Sequence, residues 1–439
     1  MVMNEILSSV QGFDNFLWTY VGVSLIVVSG LYFSFASGFV QVFGLRRCMG
    51  NFIDSLRRPG SRELRGTAPV YVFFASLGGC IGIGNVVAIA VTVQIGGPGA
   101  LVWVWLAAFL GMILKYAEVY LGIRFRVENN LGSYDGGPMY FLRYAFPKIP
   151  LIADVMALLM CIYGAEVYLF GVVKESLVLN FSLPETGVVL ALLAAVWLTV
   201  IGGVNRVGAV SSWLLPIFMT FFLLMVGYVL WANANKIPDL MALIFRSAFS
   251  GQAAFGGFAG STLMLTMSRG ISSACYSGDV GIGYASIIHA ETNINEPEKQ
   301  ASLAIVGIFI DTIVVCSAVM LLVLVSGVWE NATMPGSMLV QKALEVYFPY
   351  MHIFMPIFIF MLGFSTITAY LVAGIKSAKF LSPKIGKQVF VILASLAFVF
   401  FSYYESSIAM ALMYSAGGLL IMINISGIFV LRKYVKYNF

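Results

Sequence analysis

The sequence predicts an all-α polytopic membrane protein with about eleven transmembrane helices, and three observations predict it. Of 439 residues, 60% are hydrophobic and 10% are charged, against roughly 25% charged in soluble domains. Several apolar runs exceed the roughly 20 residues that a bilayer-crossing helix needs. Finally, Lys and Arg are sorted between alternating loops. Such a chain cannot build a water-facing surface. Its net charge of +5 says nothing about nucleic acid, and only the placement of the charges is informative.

Taken in order, the expected spans lie at about 16–44, 68–95, 98–122, 150–179, 187–202, 209–231, 252–274, 300–327, 350–375, 388–404 and 407–431. One set of loops holds nineteen Lys and Arg, from the Arg46–Arg65 cluster to Arg432, Lys433 and Lys436. The opposite set holds four, Lys174, Lys236, Arg246 and Lys342. The positive-inside rule then puts the N-terminus outside and the C-terminus in the cytoplasm. The start M1-V-M-N-E-I-L-S-S-V lacks a basic region, so the first span is expected to remain in the mature protein. Five scattered cysteines form no CxxC and only two histidines, His289 and His352, occur; both are expected to be structural, and a Cys/His metal site is not expected. The sequons at Asn180 and Asn331 are assigned no function.

The first span, 16–44, stands apart, and the rest of the chain, read as a single transmembrane domain, divides into halves, 68–231 and 252–431. The first half opens with G78-G-C-I-G-I-G-N-V-V-A-I-A-V91, four glycines in an apolar run. The second opens with F255-G-G-F-A-G-S-T-L-M-L-T-M-S-R-G-I-S-S-A-C275. By the loop charges these two helices run in opposite directions. Paired interrupted spans in two inverted halves suggest a transporter with broken helices; small residues at tight helix contacts would leave the same pattern. At a break, the N-terminus of one half-helix suits a carboxylate and the carbonyls of the other suit a cation. Gly82 and Gly84 would let a ligand approach, and Asn85 would add a side-chain hydrogen bond. A nucleotide loop is not supported, because Val87 stands where a third glycine is needed.

Ionisable residues within spans are expensive and mark function. Glu166, mid-span, is expected either to hold an ammonium group or to carry a proton. Lys115 and Glu118, spaced i, i+3, suggest a structural or gating pair. Asp311 has Lys115 or Arg269 as candidate partner. Arg269 with Asp279 and Glu291 would close an inner gate or form a solvated turn. Phe255, Phe258, Trp103 and Trp105 are candidates for the vestibule wall or ordinary membrane aromatics.

The runs G82-I-G-N-V-V, G96-G-P-G-A-L-V-W-V-W-L-A-A-F-L-G-M-I-L-K-Y-A-E118 and G136-G-P-M-Y140 resemble the alanine or glycine:cation symporters. In the second half G257-F-A-G, S268-R-G, G281-I-G, S286-I-I-H-A290, E296-P-E-K-Q300, F309-I-D-T-I-V-V-C316, S326-G-V-W329 and F364-S-T-I367 follow in the family's order. The resemblance covers about 70–370. It implies a LeuT-like fold of two inverted five-helix repeats plus one N-terminal helix, and cation-coupled uptake of alanine or glycine across the plasma (bacterial inner) membrane. Na⁺ is the implied coupling ion, with H⁺ as alternative; no other cofactor and no obligate protein partner is implied beyond amino acid and lipid. Implied substrate residues are Gly82, Ile83, Gly84, Asn85, Glu166, Thr266, Met267 and Tyr370. Implied ion ligands are Gly78, Gly79 and Gly82 with Ser365 and Thr366, although such hydroxyls also bond back to their own helix. The chain departs from the family at Ile83 and Cys80, where threonine is usual, at Glu166 for glutamine, at S277-G-D-V-G-I-G-Y, and at Tyr370 for tryptophan. A membrane-embedded enzyme or sensor would need a catalytic cluster or a soluble domain, and the sequence supplies neither.

Overall fold

The computed structural model describes residues 12–13, 16–57, 65–129, 132–249, 263–331, 334–403 and 406–438. Phe255, Phe258, the G257-F-A-G run, Arg58, Arg62, the whole first ten-residue stretch and the end of the Asn331 sequon lie outside them. Each of the eleven expected spans falls on helix as far as it is described; residues 252–262 of the seventh lie outside the described residues. Among the described residues, eight helices are long and apolar enough to cross a membrane, and Glu185–Val200 and Gly386–Ser402 are shorter apolar helices.

Helix α1 (Leu17–Ala36) is followed by α2 (Leu45–Arg57), an amphipathic helix that the hydropathy reading left as loop. The second span is two pieces, α3 (Pro69–Cys80) and α4 (Ile89–Gly96), the latter entered through a π-helical turn Gly84–Ala88. Pro69 begins α3, where its missing N–H costs nothing. Then come α5 (Ala100–Arg124), a two-strand hairpin of Val127–Glu128 and Tyr134–Asp135, and α6 (Pro138–Ala145). The fourth span is also two pieces, α7 (Leu151–Tyr163) and α8 (Val167–Phe181). The half closes with α9 (Glu185–Val200), α10 (Gly203–Ala232) and a short α11 (Ile237–Phe249).

The second half runs α12 (Leu263–Gly278), α13 (Tyr284–His289), α14 (Pro297–Ile308), a π-helical stretch Phe309–Cys316, α15 (Ser317–Ser326) and α16 (Gly336–Glu345). It ends with α17 (Met351–Leu381), α18 (Gly386–Ser402) and α19 (Ser406–Val430). Helix α12 continues through Gly270 to Gly278, so the interruption comes later than the expected span end at 274.

Burial separates centre from rim. The most apolar window of Pro69–Gly96 is 100% buried, whereas that of Gly203–Ala232 is 33% buried. The broken second span is therefore the hub, packed on α10 and α17, while α5 packs on α12 and α14. Rim side chains such as Phe35, Leu198, Trp213 and Leu224 stay exposed, as apolar groups facing lipid should.

Candidate binding site at two helix breaks

Helix α3 stops because Ile81 turns extended, at φ −74° and ψ 91°. Asn85 steadies the restart: its Oδ1 accepts the Gly82 N–H at 3.1 Å. Its Nδ2 donates to Asp311 Oδ1 at 2.7 Å and reaches Cys316 Sγ at 3.2 Å. Oxygens crowd the other side. Thr366 Oγ1 lies 3.0 Å from the Gly78 carbonyl and 3.1 Å from that of Leu362. Ser211 and Ser365 hydroxyls are 2.6 Å apart. A Cβ on Gly78 would sit 2.5 Å from both hydroxyls, and one on Gly82 would collide with Thr366 Oγ1. The glycines thus serve close approach of oxygen to backbone, a use that needs no side chain. Ile83 turns instead toward Gly363 and Val173.

The second break follows α12. Asp279, Gly281 and Gly283 have φ of 50°, 72° and 111°. These left-handed values interrupt the helix within five residues, and Asp is one of the few side chains that tolerates them. Asp279 Oδ2 accepts the Ala285 N–H at 2.8 Å, capping α13. Tyr284 Oη donates to the Ala75 carbonyl at 2.8 Å and so ties this break to α3.

Lys115 and Glu118 do not close on each other, contrary to the i, i+3 expectation. Lys115 Nζ donates to the Gly278 carbonyl at 2.7 Å and to Cys80 Sγ at 3.0 Å, and lies 4.0 Å from Asp279 Oδ2. Glu118 accepts the Ser286 N–H at 3.2 Å and Asn424 Nδ2 at 3.0 Å. Hydrogen bonds to backbone and amide outcompete an intrahelical pair worth about 0.2–0.5 kcal/mol. Asp311 takes neither expected partner; Asn85 and Thr312 Oγ1, at 2.7 Å, hold it.

A third break was not expected. Glu166 is left-handed, at φ 46° and ψ 46°, and separates α7 from α8. A non-glycine residue there is strained and marks a constrained site. Its Oε2 accepts Tyr276 Oη at 3.1 Å. Tyr163 stands edge-on to both Tyr276 and Tyr370, with centroids 6.1 and 5.4 Å away. Tyr370 stacks on Tyr284 at 4.1 Å. Glu166 and Tyr370 therefore share one tyrosine-lined neighbourhood with the second break.

Thr266, Met267 and Arg269 are not brought to it. Thr266 Oγ1 donates to the Gly96 carbonyl at 2.9 Å, at the far end of α4, and Arg269 lies beside the same glycine. Because α12 is continuous, these residues stand about 14–18 Å along the axis from Gly278, at about 1.5 Å per residue. The expected grouping of Arg269 with Asp279 and Glu291 is corrected accordingly. Glu291 is instead 2.6 Å from Lys376 Nζ, which also holds Asp135 Oδ1 at 2.8 Å.

The pattern of the sodium:alanine symporter family matches residues 3–438. The chain belongs to that family. Among its relatives, an uncharacterized transporter of Haemophilus influenzae is 32% identical, over 78% of this chain and 74% of the relative. The sodium/alanine symporter AgcS of Methanococcus maripaludis is 27% identical, over 94% and 90%. Among solved structures, MhsT in complex with L-phenylalanine matches at a TM-score of 0.59 with 14% identity, covering 82% of this chain and 89% of that one. That likeness shows the fold, which is LeuT-like. The chain is accordingly a polytopic membrane transporter, not an enzyme, of an amino-acid symporter family.

In this family member a cavity of about 1100 Å³ opens at the Lys- and Arg-rich end, lined by Thr67, Tyr71, Glu291, Lys376 and Lys379 among others. Beside it, Thr67 pairs with Thr292 as an isolated bridge, joining the starts of α3 and the loop after α13. Arg126 knits that loop to the hairpin: it donates to the Ala290 and Thr292 carbonyls at 3.0 and 2.6 Å and lies 3.7 Å over the Tyr134 ring. Burial lowers the pKa of its guanidinium. Sequence reasoning missed Ser211, Tyr276 and Asn424. Of these, Asn424 carried a signal, as an amide deep in an apolar span, whereas Tyr284 already stands among the departures from the family.

Proposed function

We propose that the chain imports small neutral amino acids, alanine or glycine, coupled to Na⁺ by alternating access. The observation that carries this is the convergence of Gly78 O, Ser211 Oγ, Ser365 Oγ and Thr366 Oγ1 from α3, α10 and α17 at the first break. Hard oxygen atoms at the carbonyl end of a half-helix suit a sodium ion. The adjoining backbone at Gly82, Gly84 and Asn85 offers a zwitterion the N–H end of the other half-helix. A relative named as a sodium/alanine symporter supports the same cargo. In this reading residues 68–231 and 252–431 are the inverted repeats. The N-terminus lies outside, the C-terminus is cytoplasmic, and the 1100 Å³ cavity is the cytoplasmic vestibule.

The test is uptake of labelled alanine and glycine into proteoliposomes under separately imposed Na⁺ and H⁺ gradients. An inward Na⁺ gradient should drive accumulation of both amino acids. Uptake stimulated by neither gradient would sink the symport reading.

Proton coupling is the second reading, favoured by Glu166. Its carboxylate is buried at a break, with Tyr276 as donor and no cation within ion-pair distance among the described residues. Glu166→Gln should then abolish uptake driven by a pH gradient while leaving uptake driven by Na⁺ alone. An unchanged response to the pH gradient removes Glu166 as the carrier.

A further inference from the structure

One face of α5 lies along the second break in regular steps. Gly111 meets Val280, Lys115 meets Gly278 and Asp279, Glu118 meets the Ser286 N–H, and Gly122 meets Ser286. The spacing of four, three and four residues keeps all of them on one side of the helix. Gly111, Glu118 and Gly122 all meet the second broken helix, and Glu118 also holds Asn424 Nδ2 of α19. Lys115 also reaches the first, through Cys80 at the last turn of α3.

Both contacts are at C-terminal ends. Helix α3 ends at Cys80 and α12 at Gly278, and the last carbonyls of each lack intrahelical partners and carry the negative end of the helix dipole. An ammonium group between them is the cation that such ends attract. Lys115 is 2% exposed, and its stem rises from an unbroken helix, so this cation cannot diffuse away. Gly78, whose carbonyl faces Thr366, lies only two residues before Cys80.

We propose that Lys115 is a positioning residue, a tethered cation that binds the facing C-terminal ends of the two broken helices and thereby fixes the first break for its ion. The two breaks then shift together rather than separately, with the Tyr284 hydrogen bond to Ala75 as their second link. Lys115 itself touches neither ion nor substrate. The transport arm of the test rests on the symport reading; the labelling arm does not.

Two variants decide it: Lys115→Arg, and the double variant Lys115→Met with Asp279→Asn. The double variant removes the buried pair without stranding either charge, and Asn tolerates the left-handed backbone at 279. Peptide-mapped labelling of Cys80 by N-ethylmaleimide reads the tether directly. In the double variant the rate should rise by at least about tenfold, the size expected for one charge-assisted hydrogen bond. In the uptake assay its half-saturating Na⁺ concentration should rise by a similar factor, and Lys115→Arg should fall between it and the unmodified protein. A merely structural lysine would lower the melting temperature without moving Na⁺ dependence. Cys80 labelling at the unmodified rate in the double variant overturns the tether. If that variant does not fold, Lys115→Arg carries the test, and unchanged labelling with unchanged Na⁺ dependence in it overturns the proposal. Uptake by the unmodified protein that ignores Na⁺ sinks the symport reading and leaves the labelling result standing.

Discussion

The two breaks reach the same end by different means. At the first, the glycines at 78 and 82 keep ordinary backbone angles, and what they supply is vacancy beside the backbone, filled by hydroxyls of Ser211, Ser365 and Thr366. At the second, Asp279, Gly281 and Gly283 supply left-handed turns, and the carboxylate of Asp279 caps the next helix. The first is thus shaped around what approaches it, the second around its own chain path. Substitutions should separate these roles, damaging ion dependence at one and folding stability at the other.

The largest separation is expected from Gly82→Ala. Its methyl group would collide with Thr366 Oγ1, so either the hydroxyl or the backbone must move. Displacing a positioned group by about 1 Å can cost about a hundredfold. Na⁺-driven uptake should fall by at least that factor in a protein whose melting temperature changes little. Uptake within a few-fold of the unmodified carrier would show that the crowding at Gly82 has no part in ion handling.

Gly283→Ala attacks the other side of the comparison. The residue has φ of 111°, and its Cβ would come 2.5 Å from Pro138 Cγ on α6. Enforcing such a conformation costs roughly 1–3 kcal/mol, before the contact is counted. The purified variant should melt at a clearly lower temperature while its half-saturating Na⁺ concentration stays put. A normal melting temperature with a shifted Na⁺ response would reverse the assignment of roles.

The contrast also explains what the sequence could disclose. Apolar run length located the spans as far as they are described, because lipid imposes that pattern on any helix that crosses it. The first break was legible because clustered glycines are costly in a helix and demand a reason. The second was placed too early, since glycine, serine and threonine are most frequent at 255–275 whereas the turn is set by three positive-φ residues after Gly278. No composition signal marks the break at Glu166, whose neighbours Ala165 and Val167 are unremarkable in a helix; its charge and its departure from the family's glutamine drew notice, not the backbone. Thr266, Met267 and Arg269 fell outside the site because reach along an unbroken helix is a three-dimensional fact. Lys115 and Glu118 were found by charge, but their partners lie 163 and 168 residues away in sequence, beyond any local spacing rule.

Ser211 sharpens the comparison with the smallest expected effect. It is an ordinary serine in an apolar span, and its neighbour Ser212 makes only a bond back to Ala209 O at 2.8 Å. The fully buried Ser211 instead faces Ser365 across two helices, at the spot a Cβ on Gly78 would take. If its oxygen belongs to the ion's surroundings, Ser211→Ala should raise the half-saturating Na⁺ concentration by about three- to tenfold, the range of one net hydrogen bond. Ser212→Ala should leave it unchanged. Equal small effects from both would mean that the first break takes its ion without help from α10, and that α3 and α17 suffice to build the cage.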